Sequence, residues 1–320
     1  HGTQKEMSTV LKLRISRWGY SVYEKESDID QEKEALASLA TIVDDSTDAE
    51  IIITHSKQRI SYIDLEKAPS VQFVITTTSG HDHIDKQALK EKGIRLIRMP
   101  MIRRDAVVET TIALLLDALR LIWRFQEDAR RNQWSRGRLP EYCPKRIADL
   151  KIGIVGYGVI GMELVRRLQF FGADIVLCDP KGTPSDIPTC SFADMAHHCD
   201  AVLFACDLNS SSLNLVNRKW LESCKEGMIV VNAARGKLID IYAAKEALTS
   251  GQLSFLGLDV FPDEPFEQLN WVNEHPNLIC LPHSAGFHPK LATMIREGLM
   301  DILSAILQEQ TIPFEVEFQS

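Results

Sequence analysis

The sequence predicts an α/β protein built from two doubly wound parallel sheets, and three observations lead there. The chain has 320 residues, more than one ordinary core serves. Short apolar runs alternate with helix-forming stretches almost from end to end. A glycine pattern, Gly156-Tyr157-Gly158-Val159-Ile160-Gly161, stands directly after one of those runs. A hydrophobic content of 45% supports compact globules rather than a disordered chain.

Taken in order, residues 1–6 ahead of Met7 read as an appended remnant outside the fold. Strands are expected at 11–15, 50–54, 71–76 and 94–97, with helices at 35–40 and 85–91. Strands separated by helices pair in parallel, because a parallel crossover needs a long connection. A long apolar helix over 106–125, with Ile112, Leu115, Leu119 and Leu121 on its core side, reads as buried between two units. The stretch 126–149 is charged and broken by Gly137, Pro140 and Pro144, and reads as an arm. A second alternating region follows, with strands at 151–155, 174–177, 201–204, 228–231, 254–258 and 278–281 and helices such as 160–171 and 242–249. Six strands with intervening helices complete a doubly wound sheet, and 289–307 adds an amphipathic helix.

Composition narrows the function. Lys plus Arg number 36 against 44 Asp plus Glu, a formal charge of -8, so nucleic acid is not an expected partner. Seven cysteines, with no Cys-x-x-Cys pair, suggest reduced thiols rather than a disulfide or metal framework. No apolar stretch reaches the roughly 18 residues of a membrane span, and no signal pattern opens the chain, so a soluble cytoplasmic protein is expected.

The glycine pattern has the context its mechanism requires: a strand before it, and after it a helix with Ile160, Leu164 and Leu168 on one face. Gly156 permits the tight turn, Gly158 lets the backbone approach a pyrophosphate, and Gly161 allows close packing of helix on strand. The helix N-terminus then offers free N–H groups to the anion. Asp179 closes the next strand, at the spacing where a carboxylate takes ribose hydroxyls and repels a 2′-phosphate, so NAD is expected over NADP.

Three residues follow late strands: Arg235 in Asn232-Ala-Ala-Arg-Gly236, Glu264 in Gly257-Leu-Asp-Val-Phe-Pro-Asp-Glu-Pro265, and His283 in Leu281-Pro-His-Ser-Ala-Gly286. Ligands of doubly wound sheets bind outside the carboxyl ends of the strands, so all three point to the cofactor crevice. Their chemistry suits hydride transfer to a 2-keto acid. A guanidinium grips a carboxylate, an imidazole carries a proton near neutral pH, and a carboxylate orients that imidazole.

With these motifs in view, the sequence resembles the D-isomer-specific 2-hydroxyacid dehydrogenase family over about residues 51–315. The resemblance implies two Rossmann-like domains. A discontinuous, flavodoxin-like substrate domain would comprise residues 7–105 plus 287–320, and an NAD-binding domain residues 106–286, with a dimerisation arm at about 121–150. Catalysis would need the cleft to close, and the chain would work as a homodimer. Arg235 would bind the substrate carboxylate and carbonyl, Glu264 would pair with His283, and His283 would be the acid/base. Cofactor contacts would come from Gly156, Gly158, Val159, Ile160, Gly161, Asp179, Ala233, Asp259, His283 and Gly286, with Asp259 on the nicotinamide carboxamide. Thr78-Ser-Gly-His-Asp-His-Ile-Asp85 looks like the family's substrate loop, its Ser79 and Gly80 N–H groups receiving the carboxylate. His81 and His83 lack further ligands nearby, and no metal is expected.

Two departures from the family pattern stand out. Ala205-Cys206-Asp207 replaces a usual His and Pro beside the cofactor, and Arg103-Arg104 replaces small polar residues near the substrate loop. Arg103 or Arg104 could read an extra carboxylate or phosphate on the substrate, or be a solvated charge at a helix start. A non-catalytic NAD-sensing, co-repressor-like protein is the alternative function; the full Arg235, Glu264 and His283 set argues against it. Glu264 also argues against formate oxidation, while phosphite oxidation stays open. No regulatory domain is expected after residue 320.

Overall fold

The computed structural model describes residues 12–183 and 186–318. The remnant reading of residues 1–6 and the first residue of the expected strand at 11–15 lie outside these. The chain divides into two compact units, residues 1–103 with 288–320, and residues 104–287.

The first unit holds five parallel strands: β1 (Leu13–Trp18), β2 (Ala40–Ile42), β3 (Ile51–Thr54), β4 (Phe73–Thr76) and β5 (Arg95–Arg98). Their order, β2-β1-β3-β4-β5, is that of a flavodoxin-like sheet. Alternate residues feed two cores. Ile51, Ile53, Phe73, Ile75 and Ile97 face the helix Leu291–Leu307, and Ile52, Val74 and Leu96 face Leu65, Ala88 and Leu89 on the other side. Both faces are covered, so the central strands β3 and β4 read as nearly unbroken apolar runs. The stripe Leu291, Ile295, Leu299, Ile302 and Leu303 falls on one face of its helix, and each such burial contributes about 1.5–3 kcal/mol. The chain's last described turn bridges Glu315 to Ile97, and Arg95 grips the Glu315 carboxylate with two bonds of 2.7 and 2.6 Å, shielding the β5 edge.

The second unit holds β6 (Lys151–Val155), β7 (Asp174–Cys178), β8 (Ala201–Phe204), β9 (Met228–Asn232), β10 (Leu253–Leu258) and β11 (Leu278–Cys280), all parallel, in the order β11-β10-β9-β8-β6-β7. Beyond β7 a parallel bridge joins Leu177 to Thr189, so the outer strand of a Rossmann half is reduced to one bridge. The strand order reverses between β6 and β8, and the crevice at their carboxyl ends is the switch point.

Three details differ from the sequence reading. The first helix runs Glu26–Leu36 rather than 35–40, and residues 40–42 form β2. The long helix spans Met101–Arg120 and ends at Leu121, whose φ of 55° is left-handed; the Asp117 carboxylate accepts the Trp123 N–H at 2.7 Å and caps the next helix, Ile122–Arg130. The arm therefore contains helix as well as loop. Among the described residues no helix is long and apolar enough to cross a membrane.

Candidate active site

The glycine turn follows β6 without an intervening residue. Gly156 has φ 97°, and a Cβ there would stand 2.7 Å from the Cys206 backbone, so the unusual 205–207 segment lies against this turn. A Cβ on Gly161 would meet the Gly156 carbonyl oxygen at 2.0 Å, which makes Gly161 the position where helix and turn touch. Gly158 is different: no atom lies within 4 Å of where its Cβ would stand. The first bond of the helix Val159–Phe170 runs from Met162 N to Gly158 O at 2.9 Å, leaving the Val159, Ile160 and Gly161 N–H groups for an outside acceptor.

Asp179 follows β7 directly. Its carboxylate accepts the Tyr157 N–H at 2.6 Å and the Lys181 N–H at 2.8 Å, tying the end of β7 to the glycine turn. The open space at Gly158, the N–H groups behind it and this carboxylate fit the phosphates and ribose of a dinucleotide.

The loops after β9, β10 and β11 are knitted to one another. Asn232, fully buried, donates from Nδ2 to the Arg235 carbonyl at 2.8 Å and accepts the Ala234 N–H at 3.0 Å, which shapes the turn carrying Ala233 and Arg235. A Cβ on Gly236 would fall 1.9 Å from the Phe261 carbonyl carbon, so the Arg235 loop rests on the backbone leading to Glu264. Glu264 accepts the Phe261 N–H on Oε1 at 3.0 Å, and its Oε2 lies 2.7 Å from His283 Nδ1. Burial raises the Glu264 carboxyl, but the hydrogen bond and charge of His283, the Phe261 N–H and the Arg235 guanidinium outweigh it and hold the group below its ordinary value. His283 has φ 55°, a left-handed conformation uncommon for a side chain of its size.

Asp259 explains how that conformation is held. It is almost fully buried, its own N–H pairs with the Asn232 carbonyl at 3.0 Å, and its two oxygens accept the Ser284 and Ala285 N–H groups at 2.8 and 3.0 Å. Burial pushes its carboxyl up while the two N–H groups pull it down. The residue expected on the carboxamide thus also clamps the backbone between His283 and Gly286. Asn232 and this clamping role were not legible in the sequence; the one available signal was a polar Asn ending an otherwise apolar strand.

In the first unit, Ser79 and Gly80 follow β4. Thr78 Oγ1 donates to the Gly80 carbonyl at 2.8 Å and Arg98 to the Ser79 carbonyl at 3.5 Å. Among the described residues neither the Ser79 nor the Gly80 N–H meets an acceptor. The structure separates the two arginines: Arg104 pairs with Asp105 at 2.9 Å, whereas Arg103, partly buried, donates to the Thr77 carbonyl. His83 Nε2 lies 3.4 Å from Thr76 Oγ1, and among the described residues no three metal-ligating side chains cluster.

Comparison with known proteins agrees with this geometry. The family model for the NAD-binding domain of D-isomer-specific 2-hydroxyacid dehydrogenases matches residues 112–285. The chain is 29% identical over 221 residues to a hydroxypyruvate reductase of Thermotoga maritima, covering 68% of this chain and 71% of that one. It is 26% identical over 272 residues to a glyoxylate/hydroxypyruvate reductase B of Klebsiella pneumoniae, covering 82% and 84%. The fold matches a D-lactate dehydrogenase of Aquifex aeolicus, solved with NAD and lactic acid, at a TM-score of 0.83 and 23% identity over 96% of this chain and all of that one. A family model spanning over half of the chain, laid on a glycine turn that fits a dinucleotide, shows that the chain belongs to the D-isomer-specific 2-hydroxyacid dehydrogenase family and is an NAD-dependent enzyme acting on D-2-hydroxy acids.

Proposed function

We propose that the enzyme interconverts a small 2-keto acid and its D-2-hydroxy acid, with His283 as the proton carrier. The observation that carries this reading is the 2.7 Å contact between Glu264 Oε2 and His283 Nδ1, with the other Glu264 oxygen anchored on the Phe261 N–H. NADH, when bound, supplies the hydride to C2. The Glu264 carboxylate accepts the hydrogen bond of Nδ1–H and orients the ring, so Nε2 gives its proton to the oxygen that becomes the hydroxyl, and takes it back in the oxidation. Arg235 supplies a permanent positive charge to the carbonyl and carboxylate of the substrate, and the Ser79 and Gly80 N–H groups receive the carboxylate. In this reading Asp259 holds the carboxamide with its remaining lone pairs, with Ala233 and Gly286 as further cofactor contacts. Relatives named for hydroxypyruvate and glyoxylate support a small 2-keto acid as the substrate.

The same reading makes the protein a cytoplasmic homodimer paired through the arm at about 121–150, where Trp134 is 89% exposed and Ile122 56%. The test is NADH consumption with glyoxylate, hydroxypyruvate, pyruvate, phosphohydroxypyruvate, and branched and aromatic 2-keto acids, for wild type and His283→Ala. Turnover by wild type, lost by orders of magnitude in the variant while NADH still binds, is the expected result. Tight NADH binding with no turnover of any acid would instead favour the sensor reading.

A further inference from the structure

The carboxyl ends of β3 and β4 and the first turn of the helix Met101–Arg120 bring together a set of charged side chains that the reaction itself does not use. Arg17, at the end of β1, is fully satisfied: Glu32 lies 2.8 Å from its Nε, Glu24 3.9 Å from its Nη2, and its guanidinium stacks 4.2 Å over the Tyr20 ring. Glu32 is thus spent on Arg17, while Glu24 is shared: it accepts the Ser21 N–H, and its charge also reaches Arg103 from beyond ion-pair distance. Arg103 is the other arginine. Its one hydrogen bond is to the Thr77 carbonyl, and among the described residues no carboxylate forms an ion pair with it.

His55 lies within electrostatic reach of this arginine. Thr77 N–H and Thr77 Oγ1 both bond the Thr54 carbonyl, at 3.0 and 3.4 Å, which fixes the backbone before His55 against the residue that holds Arg103. His55 is buried, and its Nδ1 faces the Lys57 N–H at 3.5 Å. That places the proton on Nε2, which has no partner among the described residues. Burial, then the charges of Arg103 and Arg17, push its pKa down to about 4, so it is a neutral N–H donor at pH 7. Two residues beyond Thr77 begin the unpaired Ser79 and Gly80 N–H groups.

A partly buried guanidinium with no carboxylate in ion-pair contact, beside a neutral donor and a pair of open N–H groups, is an unfilled place for an anion. We infer that Arg103 and His55 read a second acidic group on the substrate, so that the enzyme's proper substrate is a 2-keto acid carrying a further carboxylate or phosphate beyond C2. This rests on the proposed function above, in which Ser79 and Gly80 take the first carboxylate. Sequence spacing offered Arg103 and Arg104 as equals; the structure separates them and adds His55.

The test compares kcat/KM for pairs of keto acids matched in length: 2-oxosuccinate against 2-oxobutyrate, 2-oxoglutarate against 2-oxovalerate, and phosphohydroxypyruvate against hydroxypyruvate. In wild type the diacid of at least one pair should be preferred by about 100-fold, the worth of one or two charge-assisted hydrogen bonds, and which pair shows it tells carboxylate from phosphate. Arg103→Met should bring that ratio to about 1 through KM, Arg103→Lys should keep part of it, and His55→Gln should lower it by about tenfold. Wild-type ratios near or below 1 in all three pairs overturn this inference without reference to any variant. Turnover of none of the acids overturns the proposed function and this inference together.

Discussion

Glu264 uses its two oxygens for different tasks: Oε1 accepts the Phe261 N–H at 3.0 Å and Oε2 meets His283 Nδ1 at 2.7 Å. One end of the carboxylate is fixed to its own loop so that the other can fix the imidazole. Glu264→Gln keeps the shape and removes the charge, and should lower kcat for keto-acid reduction by about 100-fold with NADH affinity changed less than about threefold. The folded Glu264 carboxyl is held below its ordinary value, so its pairing is complete above the unfolded value and lost as pH falls through the lower folded one. The acid loss of wild-type activity that stems from this pair should therefore have its midpoint below the ordinary value of a glutamate. Steady-state rates across pH, with NADH binding followed by fluorescence, check both.

Asp259→Ala would leave the buried Ser284 and Ala285 N–H groups without acceptors. The cost should be about 2–4 kcal/mol of stability, read from denaturant unfolding. Activity should fall further than the folded fraction accounts for, because the backbone that holds His283 loses its clamp. An unfolding midpoint unchanged from wild type would show that the clamp contributes nothing.

Two alanine substitutions in the glycine turn should separate folding from binding. Gly161→Ala drives a Cβ to 2.0 Å from the Gly156 carbonyl and should destabilise the second unit and weaken NADH together. Gly158→Ala places its methyl in open space and should leave thermal unfolding within about 1 °C of wild type. Its NADH Kd should nonetheless rise by about tenfold or more, because the methyl occupies the approach of the pyrophosphate. Equal effects of the two on stability would contradict this division.

His55 provides a pH test in the first unit. Its folded pKa lies at about 4 against an unfolded value near 6.5. The unfolded chain thus binds a proton that the folded one refuses between those values. Stability falls as pH drops from about 6.5 to 4, by up to about 3 kcal/mol, and is flat in this respect below and above. In His55→Gln that part of the slope should vanish, which paired denaturant melts at pH 7 and pH 4.5 would reveal as a smaller difference than in wild type.

The strands were readable because both sheets are covered on both faces. Ile51 to Ile53 and Met228 to Val231 are apolar at every position, and no competing helical period is present. The first helix was misplaced for the opposite reason. Of Glu26–Leu36 only Glu32 and Leu36 are buried, and Glu32 is inside because Arg17 meets it there, a partnership from β1 that local composition cannot announce. β2 is three residues long at a sheet edge, too short to carry a period. In the site, Arg235, Glu264 and His283 could be proposed because each lies in the loop after a recognisable strand. Asn232 as a turn-former, Asp259 as a clamp and His55 as a donor depend on which loops meet, and adjacency between loops exists only once the chain is folded.

The left-handed backbone at residue 283 restricts what descent can place there. Asparagine, aspartate and glycine settle into such a conformation readily, and β-branched side chains do not. None of the three tolerated substitutes ferries protons near neutrality as imidazole does. On the proposed function, position 283 is thus filtered twice, by torsion and by acidity, and variants that pass the first filter would be well-folded proteins that have lost their chemistry. Lineages drifting from enzyme toward mere nucleotide binder would be expected to carry asparagine at this point before any other replacement.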